Sequence, residues 1–372
     1  MDMHSSLGQL LVGVMAVVLL AGCGAGGSAT PALTTPTPTS LPSEAVATPP
    51  PAATATAATP ARTPTVKETY NVAYESANPV LVPGVLDVYA PTKAGPWPVV
   101  VLIPAFERAS LGEHARRVAD LGFVVFVPEW GAVPVGGDDT LTYDRLVADD
   151  VQGACAIEFA RAHAAEYGGD PGTMIVFGHS AGAHLAATVV FAGTEPSAGC
   201  LADTTPGAID ALVTWEGDWL IHEIHPPGSP LQWDRMLVAD PRVFDAVTPL
   251  PSLARNKDLK VVILVSEDPN ASLESEFPGI IIDRPVGDPW AADSWLAVRD
   301  PSGDLRRQLE TNGALADGKL GLVESQQLLY SVLKAQGNPV SLDVMPDSSH
   351  AWLAGRGWDV FLAAFPKAAA KG

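Results

Sequence analysis

The sequence predicts an α/β fold, a mostly parallel central sheet with helices on both faces, and three features predict it. Val99 to Ile103, Phe123 to Val127 and Val261 to Val265 are almost wholly apolar runs, as strands buried on both faces should be. Such runs alternate with helical patterns, an arrangement that builds parallel sheets through right-handed crossovers. A Gly-x-Ser-x-Gly pentapeptide at 178–182 stands between a strand pattern and a helix pattern.

The 372 residues are 47% hydrophobic and 17% charged, enough for one large domain with a real core. A formal net charge of −20 repels phosphate backbones and argues against a nucleic-acid partner. Three cysteines are too few for a disulfide scaffold or a Cys-rich zinc module. There is one long apolar stretch, so the chain is not a helical membrane bundle.

That stretch, Leu10 to Ala21 (LLVGVMAVVLLA), has the length of a signal-peptide core rather than a membrane span. Met1 to Gln9 departs from a typical leader by carrying Asp2 and no Lys or Arg. Leu20-Ala21-Gly22-Cys23 resembles the bacterial lipobox. The resemblance implies cleavage after Gly22, diacylglycerol on Cys23, export, and anchoring to the cell envelope, with two acyl chains giving stable attachment. A plain secretory signal is the alternative. Residues 23–66 are mostly Ala, Thr, Pro, Gly and Ser, have no apolar period, and read as a solvated tether without chemistry. The folded domain is therefore expected over 67–372.

Within it the elements follow in order. Leu86 to Tyr89 is a short strand closed by Pro91, and Val99 to Ile103 is a buried strand. Gly112 to Leu121 has helical spacing, and Phe123 to Val127 is the next strand. Tyr143 to Tyr167 reads as a long amphipathic helix with Val147, Val151, Ala154 and Phe159 on its apolar side. Met174 to Phe177 is a strand and Ser180 to Phe191 a helix. Ala211 to Thr214 and Val261 to Val265 are strands, followed by a helix over Val323 to Gln336. Ser341 to Met345 is the last strand and Gly357 to Phe365 the last helix.

Gly178-His179-Ser180-Ala181-Gly182 is the nucleophile-elbow pattern in its required context. A serine on so sharp a turn needs small neighbours, and the helix that starts there aims N–H groups at developing negative charge. Serine needs a base and an orienting acid, in the chain order Ser, then Asp or Glu, then His. The acid is expected after the next strand but one, where Ser266-Glu267-Asp268-Pro269 follows Val265; Asp268 is chosen, with Glu267 as the alternative. The base is expected after the last strand, at His350 in Pro346-Asp347-Ser348-Ser349-His350. One oxyanion donor is the backbone N–H of Ala181. Ile103-Pro104-Ala105-Phe106 resembles the Pro-Gly-aromatic loop of cutinase-like and polyester-degrading hydrolases, with Ala105 in place of the usual Gly. That resemblance implies Phe106 as the second backbone donor.

Together LDVYAP, LGFVVFVPEW, RAHAAEYGGDP, GHSAGAH and VMPDSSHAW resemble, in order, the α/β-hydrolase superfamily on its dienelactone-hydrolase, cutinase-like and carboxylesterase side. The resemblance implies acyl transfer from a small-molecule or polymeric ester to Ser180, then hydrolysis by water activated by His350. A peptidase on the same fold and a non-catalytic binding protein on this scaffold are the alternatives.

Two segments depart from a minimal version. Asp268 and His350 are 82 positions apart, which leaves 270–319 as an insertion expected to roof the site as a lid. Trp215-Glu216-Gly217-Asp218-Trp219 follows the strand after the nucleophile helix, and Trp215 and Trp219 are candidates to line a substrate pocket. His222-Glu223-Ile224-His225 lacks HExxH spacing, so no metal is expected, and His184 reads as a structural hydrogen-bonder. No nucleotide-loop or flavin fingerprint is present, so no cofactor is expected. Cys155 and Cys200 are candidates for a disulfide if the domain is exported.

Overall fold

The computed structural model describes residues 66–76, 81–105, 107–131, 143–202, 207–217, 219, 248–269 and 322–369, with a few short pieces between them. The expected signal peptide, the expected lipidation site Cys23 and the expected tether up to residue 65 lie outside the described residues, as do Phe106, His222, His225 and nearly all of 270–319.

The strands are β1 (Val66–Ala73), β2 (Val85–Pro91), β3 (Trp97–Ile103), β4 (Val124–Pro128), β5 (Gly169–His179), β6 (Ala211–Trp215), β7 (Lys260–Ser266), β8 (Arg284–Pro285), β9 (Lys319–Leu320), β10 (Val340–Met345), β11 (Ser348–Ser349) and β12 (Trp352–Leu353). The described helices are α1 (Gly112–Asp120), α2 (Tyr143–His163), α3 (Ala181–Ala192), α4 (Leu322–Gln336) and α5 (Gly355–Ala369). Eight strands form one sheet in the order β1-β2-β4-β3-β5-β6-β7-β10. β2 runs antiparallel to both its neighbours, and the remaining pairs from β4 to β10 are parallel. The expected architecture is thus the observed one. β8 and β9 pair antiparallel and bring the two ends of the 285–319 segment together.

The apolar runs have a simple cause. Val99, Val101 and Ile103 of β3 join the core that packs α2, α3 and α4 on one face, while Val100 and Leu102 join the core under α1 and α5 on the other. β7 alternates likewise, with Val261, Ile263 and Val265 on the first face and Val262 and Leu264 on the second. Side chains of a strand point alternately to the two faces, so a strand covered on both must be apolar throughout.

Two elements depart from expectation. β1 was not foreseen: VKETYNVA is a half-buried edge strand with polar residues on it, so it lacks the apolar signature of its neighbours. Helix α2 is not amphipathic in the expected sense. Val147 and Val151 are only half-buried, while Asp149, Asp150, Gln152 and Glu158 are buried. The helix is covered on a second side, where Gln152 Oε1 accepts the Gly131 N–H at 2.9 Å and its Nε2 donates to Glu75 Oε2 and the Val82 carbonyl, each at 3.1 Å. On the same helix, Cys155 is bonded to Cys200 with the Cα atoms 5.4 Å apart, inside the range a disulfide can bridge.

Candidate active site

Strand β5 ends at His179, and α3 begins at Ala181. Ser180 between them has φ 53° and ψ −122°, a left-handed backbone that a non-glycine residue adopts only where its surroundings enforce it. The two glycines explain how so sharp a turn fits. A Cβ on Gly178 would lie 2.3 Å from the Gly182 carbonyl oxygen, and one on Gly182 would lie 2.3 Å from the Ile103 oxygen and 2.4 Å from that of Pro104. The end of β3 therefore packs directly on the start of α3. Ala181, beside Gly182, opens the helix there, and its N–H is one of the first-turn donors that a helix cannot satisfy internally.

Strand β6 pairs in parallel with β5, with His179 opposite Trp215. The Ser180 N–H donates to the Trp215 carbonyl at 2.9 Å, tying the elbow to the end of β6. The next residue, Glu216, also has a positive φ, 51°. Its side chain is 1% exposed and accepts on both oxygens. The Ser266 N–H donates to Oε1, and His350 Nδ1 lies 2.8 Å from Oε2. A buried carboxylate is tolerated when its lone pairs are met in this way.

His350 sits between β11 and β12 and is 6% exposed. Its backbone carbonyl accepts a 2.8 Å hydrogen bond from His179 Nε2. Ser180, Glu216 and His350 are thus gathered by bonds that run through His179 and Trp215, in the order Ser, Glu, His. Nδ1 of His350 is committed to the carboxylate, which makes Nε2 the ring atom available for proton transfer.

The acid expected from the sequence is corrected. Asp268 is exposed, and its backbone N–H donates to the Ser348 carbonyl at 3.2 Å. Glu267, the alternative, is also exposed and accepts the Asp347 N–H at 2.9 Å. Both brace the loop that carries His350, and the Glu216 carboxylate contacts its ring. The reason is position in the sheet: β6 adjoins the nucleophile strand, whereas β7 is one strand further away. The sequence signal was an acidic residue at the carboxyl end of a fully buried strand, ALVTW-Glu216.

Trp215 and Trp219 are corrected as well. They are 1% and 0% exposed, so neither offers a face to a substrate. Trp215 Nε1 donates to Ser266 Oγ at 3.1 Å, and its ring packs between those of His179 and His114. Trp219 anchors the loop that carries Glu216. Its N–H donates to Ser325 Oγ at 2.8 Å, its indole N–H to Gln326 Oε1 at 2.9 Å, and its ring lies against Gly217, where a Cβ would come within 2.4 Å. His184 packs its ring on Trp219 with centroids 5.5 Å apart.

Burial pushes the imidazoles beneath the site toward neutrality. His179 is held well below the ordinary histidine range, chiefly by desolvation and then by the nearby His350. His114, packed against Trp215, Trp358 and Phe361, is pushed down to about 4 by burial. Among the described residues, no group of His, Cys, Asp and Glu could hold a metal ion.

The strand order, with the serine turn between the fifth strand and its helix, is that of the α/β-hydrolase fold. The family model described as BD-FAE matches residues 86–215, from β2 to the end of β6. No curated protein matches. Among solved structures, a truncated carbohydrate esterase from gut microbiota is 16% identical, with a TM-score of 0.50 over 84% of this chain and 99% of that one. Esterase B from Lactobacillus rhamnosis is 13% identical, with a TM-score of 0.52 over 82% and 86%. A bifunctional GH43-CE protein of Bacteroides eggerthii is 19% identical, with a TM-score of 0.51 over 82% of this chain and 38% of that one. Likeness at these identities is a likeness of fold.

Proposed function

We propose that this chain is a serine carboxylic ester hydrolase in which Ser180 is the nucleophile, His350 the general base and Glu216 the acid that orients it. The contact between Glu216 Oε2 and His350 Nδ1 is the observation that carries this reading. His350 Nε2 takes the Ser180 hydroxyl proton as Oγ attacks the ester carbonyl carbon. The oxyanion that forms is met by the Ala181 N–H, with the Phe106 N–H as the second donor in this proposal. The imidazolium returns its proton to the departing alcohol oxygen, leaving an acyl group on Oγ. A water, deprotonated by the same imidazole, then attacks the acyl carbon and releases the carboxylic acid and the free serine. Glu216 keeps its charge throughout and favours the imidazolium. Esters borne on a carbohydrate are the substrates to try after simple ones, because one structural neighbour is described as a carbohydrate esterase. Anchoring through Cys23 belongs to the same proposal.

The test treats the soluble domain from Lys67 onward with a fluorophosphonate probe and maps the adduct by mass spectrometry, beside p-nitrophenyl acetate, butyrate and octanoate turnover. A single adduct on Ser180, with turnover falling on the order of a million-fold in Ser180→Ala, is the expected result. A folded domain that takes no adduct and turns over no ester overturns the reading.

A further inference from the structure

We infer that His179, the variable second residue of the elbow pentapeptide, is a positioning residue that holds the loop of His350 in register with the nucleophile. The inference rests on the proposed role of His350 as general base. His350 lies on a turn between two-residue strands, not on a regular element, so the sheet does not by itself set its depth or rotation. Two bonds do so. The Glu216 carboxylate holds the ring, and the His179 side chain, one residue before Ser180, holds the main chain through the His350 carbonyl at 2.8 Å. The nucleophile and the base are thereby tied through a single side chain.

The chemistry of the bond dictates the tautomer. A carbonyl only accepts, so His179 Nε2 must carry a proton and donate. The ring packs at a tilt against Trp215, at 4.2 Å between centroids, and against His350, at 5.0 Å. It has little room to rotate, and its burial keeps it neutral. The titratable groups around it are His350, Glu216 behind that ring, and His114 from α1 across Trp215. A neutral donor at this place supports the base without adding a positive charge beside an imidazolium that forms during turnover.

The test compares His179→Gln, whose amide nitrogen sits near the Nε2 position, with His179→Met, which fills similar volume and donates nothing. Each is assayed for melting temperature, kcat, KM, pH profile and the rate of fluorophosphonate labelling at Ser180. In His179→Met, kcat and the labelling rate should fall about ten- to a hundredfold with KM nearly unchanged, the size expected for a lost buried hydrogen bond. The acid limb of the rate profile should shift in the same variant. His179→Gln should recover to within about fivefold of the wild type. A folded His179→Met with wild-type kcat and profile overturns the inference, and so does a His179→Gln as slow as His179→Met. Should His179→Met fail to fold, nitrogen-15 NMR of the wild-type imidazoles decides: a His179 protonated at Nε2 and unchanged between pH 5 and 9 supports the inference, and protonation at Nδ1 overturns it. A wild type that takes no probe at Ser180 refutes the proposed function instead, so the two failures are distinguishable.

Discussion

Glu216 and His350, 134 positions apart, meet at 2.8 Å through Oε2 and Nδ1, and the carboxylate making this contact is buried. The geometry puts Glu216 at the histidine where the sequence alone favours Asp268, with Glu267 as the alternative. Glu216→Gln should reduce kcat by about ten-thousandfold, because a neutral amide neither fixes the imidazole tautomer nor favours its cation. Asp268→Asn, at an exposed loop position, should stay within about tenfold of the wild type. Kinetics of both variants on one p-nitrophenyl ester check this, and a larger loss in Asp268→Asn would return the acid to β7.

Gly182 admits no side chain. A methyl there meets backbone oxygens of Ile103 and Pro104, which cannot move aside as a flexible side chain would. Gly182→Ala should cost about 1–3 kcal/mol or more and lower activity, since relief must displace either the elbow or the end of β3. Thermal unfolding with a parallel activity assay tests it; an unchanged melting temperature would contradict the close approach.

Asp149 supplies a pH dependence of stability. Burial pushes its carboxyl up to about 7, and among the described residues its Oδ1 has no hydrogen-bond partner. The folded state then holds a proton that the unfolded chain releases near pH 4, so stability falls as pH rises from about 4 to 7. Asp150 beside it is raised as well, by burial and by Asp149, and acts in the same direction. Asp149→Asn should flatten part of this slope and stabilise the protein at pH 8 by on the order of a few kcal/mol. Urea unfolding at pH 5 and pH 8 measures it, and parallel slopes for variant and wild type would refute it.

Cys155 and Cys200 close a loop of 45 positions between α2 and the segment after α3. Replacing both by alanine should lower unfolding free energy by about 2–4 kcal/mol, mostly through the freedom restored to the unfolded chain. Peptide mapping without reductant should recover the two cysteines as one linked pair, and two free thiols would be the contrary finding.

Much of the fold was legible in the sequence because each central strand carries its own signature. Strand β7 is apolar at five consecutive positions for a local reason, cover on both faces, and a local reason leaves a local pattern. The elbow was legible for the same kind of reason, since Gly178, Ser180 and Gly182 satisfy one turn. Edge strand β1 was not, because pairing on one side leaves polar residues free to occupy it.

The sequence by itself determined the class of fold, the serine on its elbow and a histidine after the last strand. Only the tertiary structure decided which carboxylate faces that histidine, that Trp215 and Trp219 are internal supports, and that His179 grips the His350 loop. The first group follows from spacing along the chain, which sets secondary structure and strand order. The second depends on which strand ends lie side by side and on the direction each side chain takes from them. Glu216 and Asp268 both follow buried strands, and they differ in that β6 adjoins the nucleophile strand while β7 stands one place beyond it.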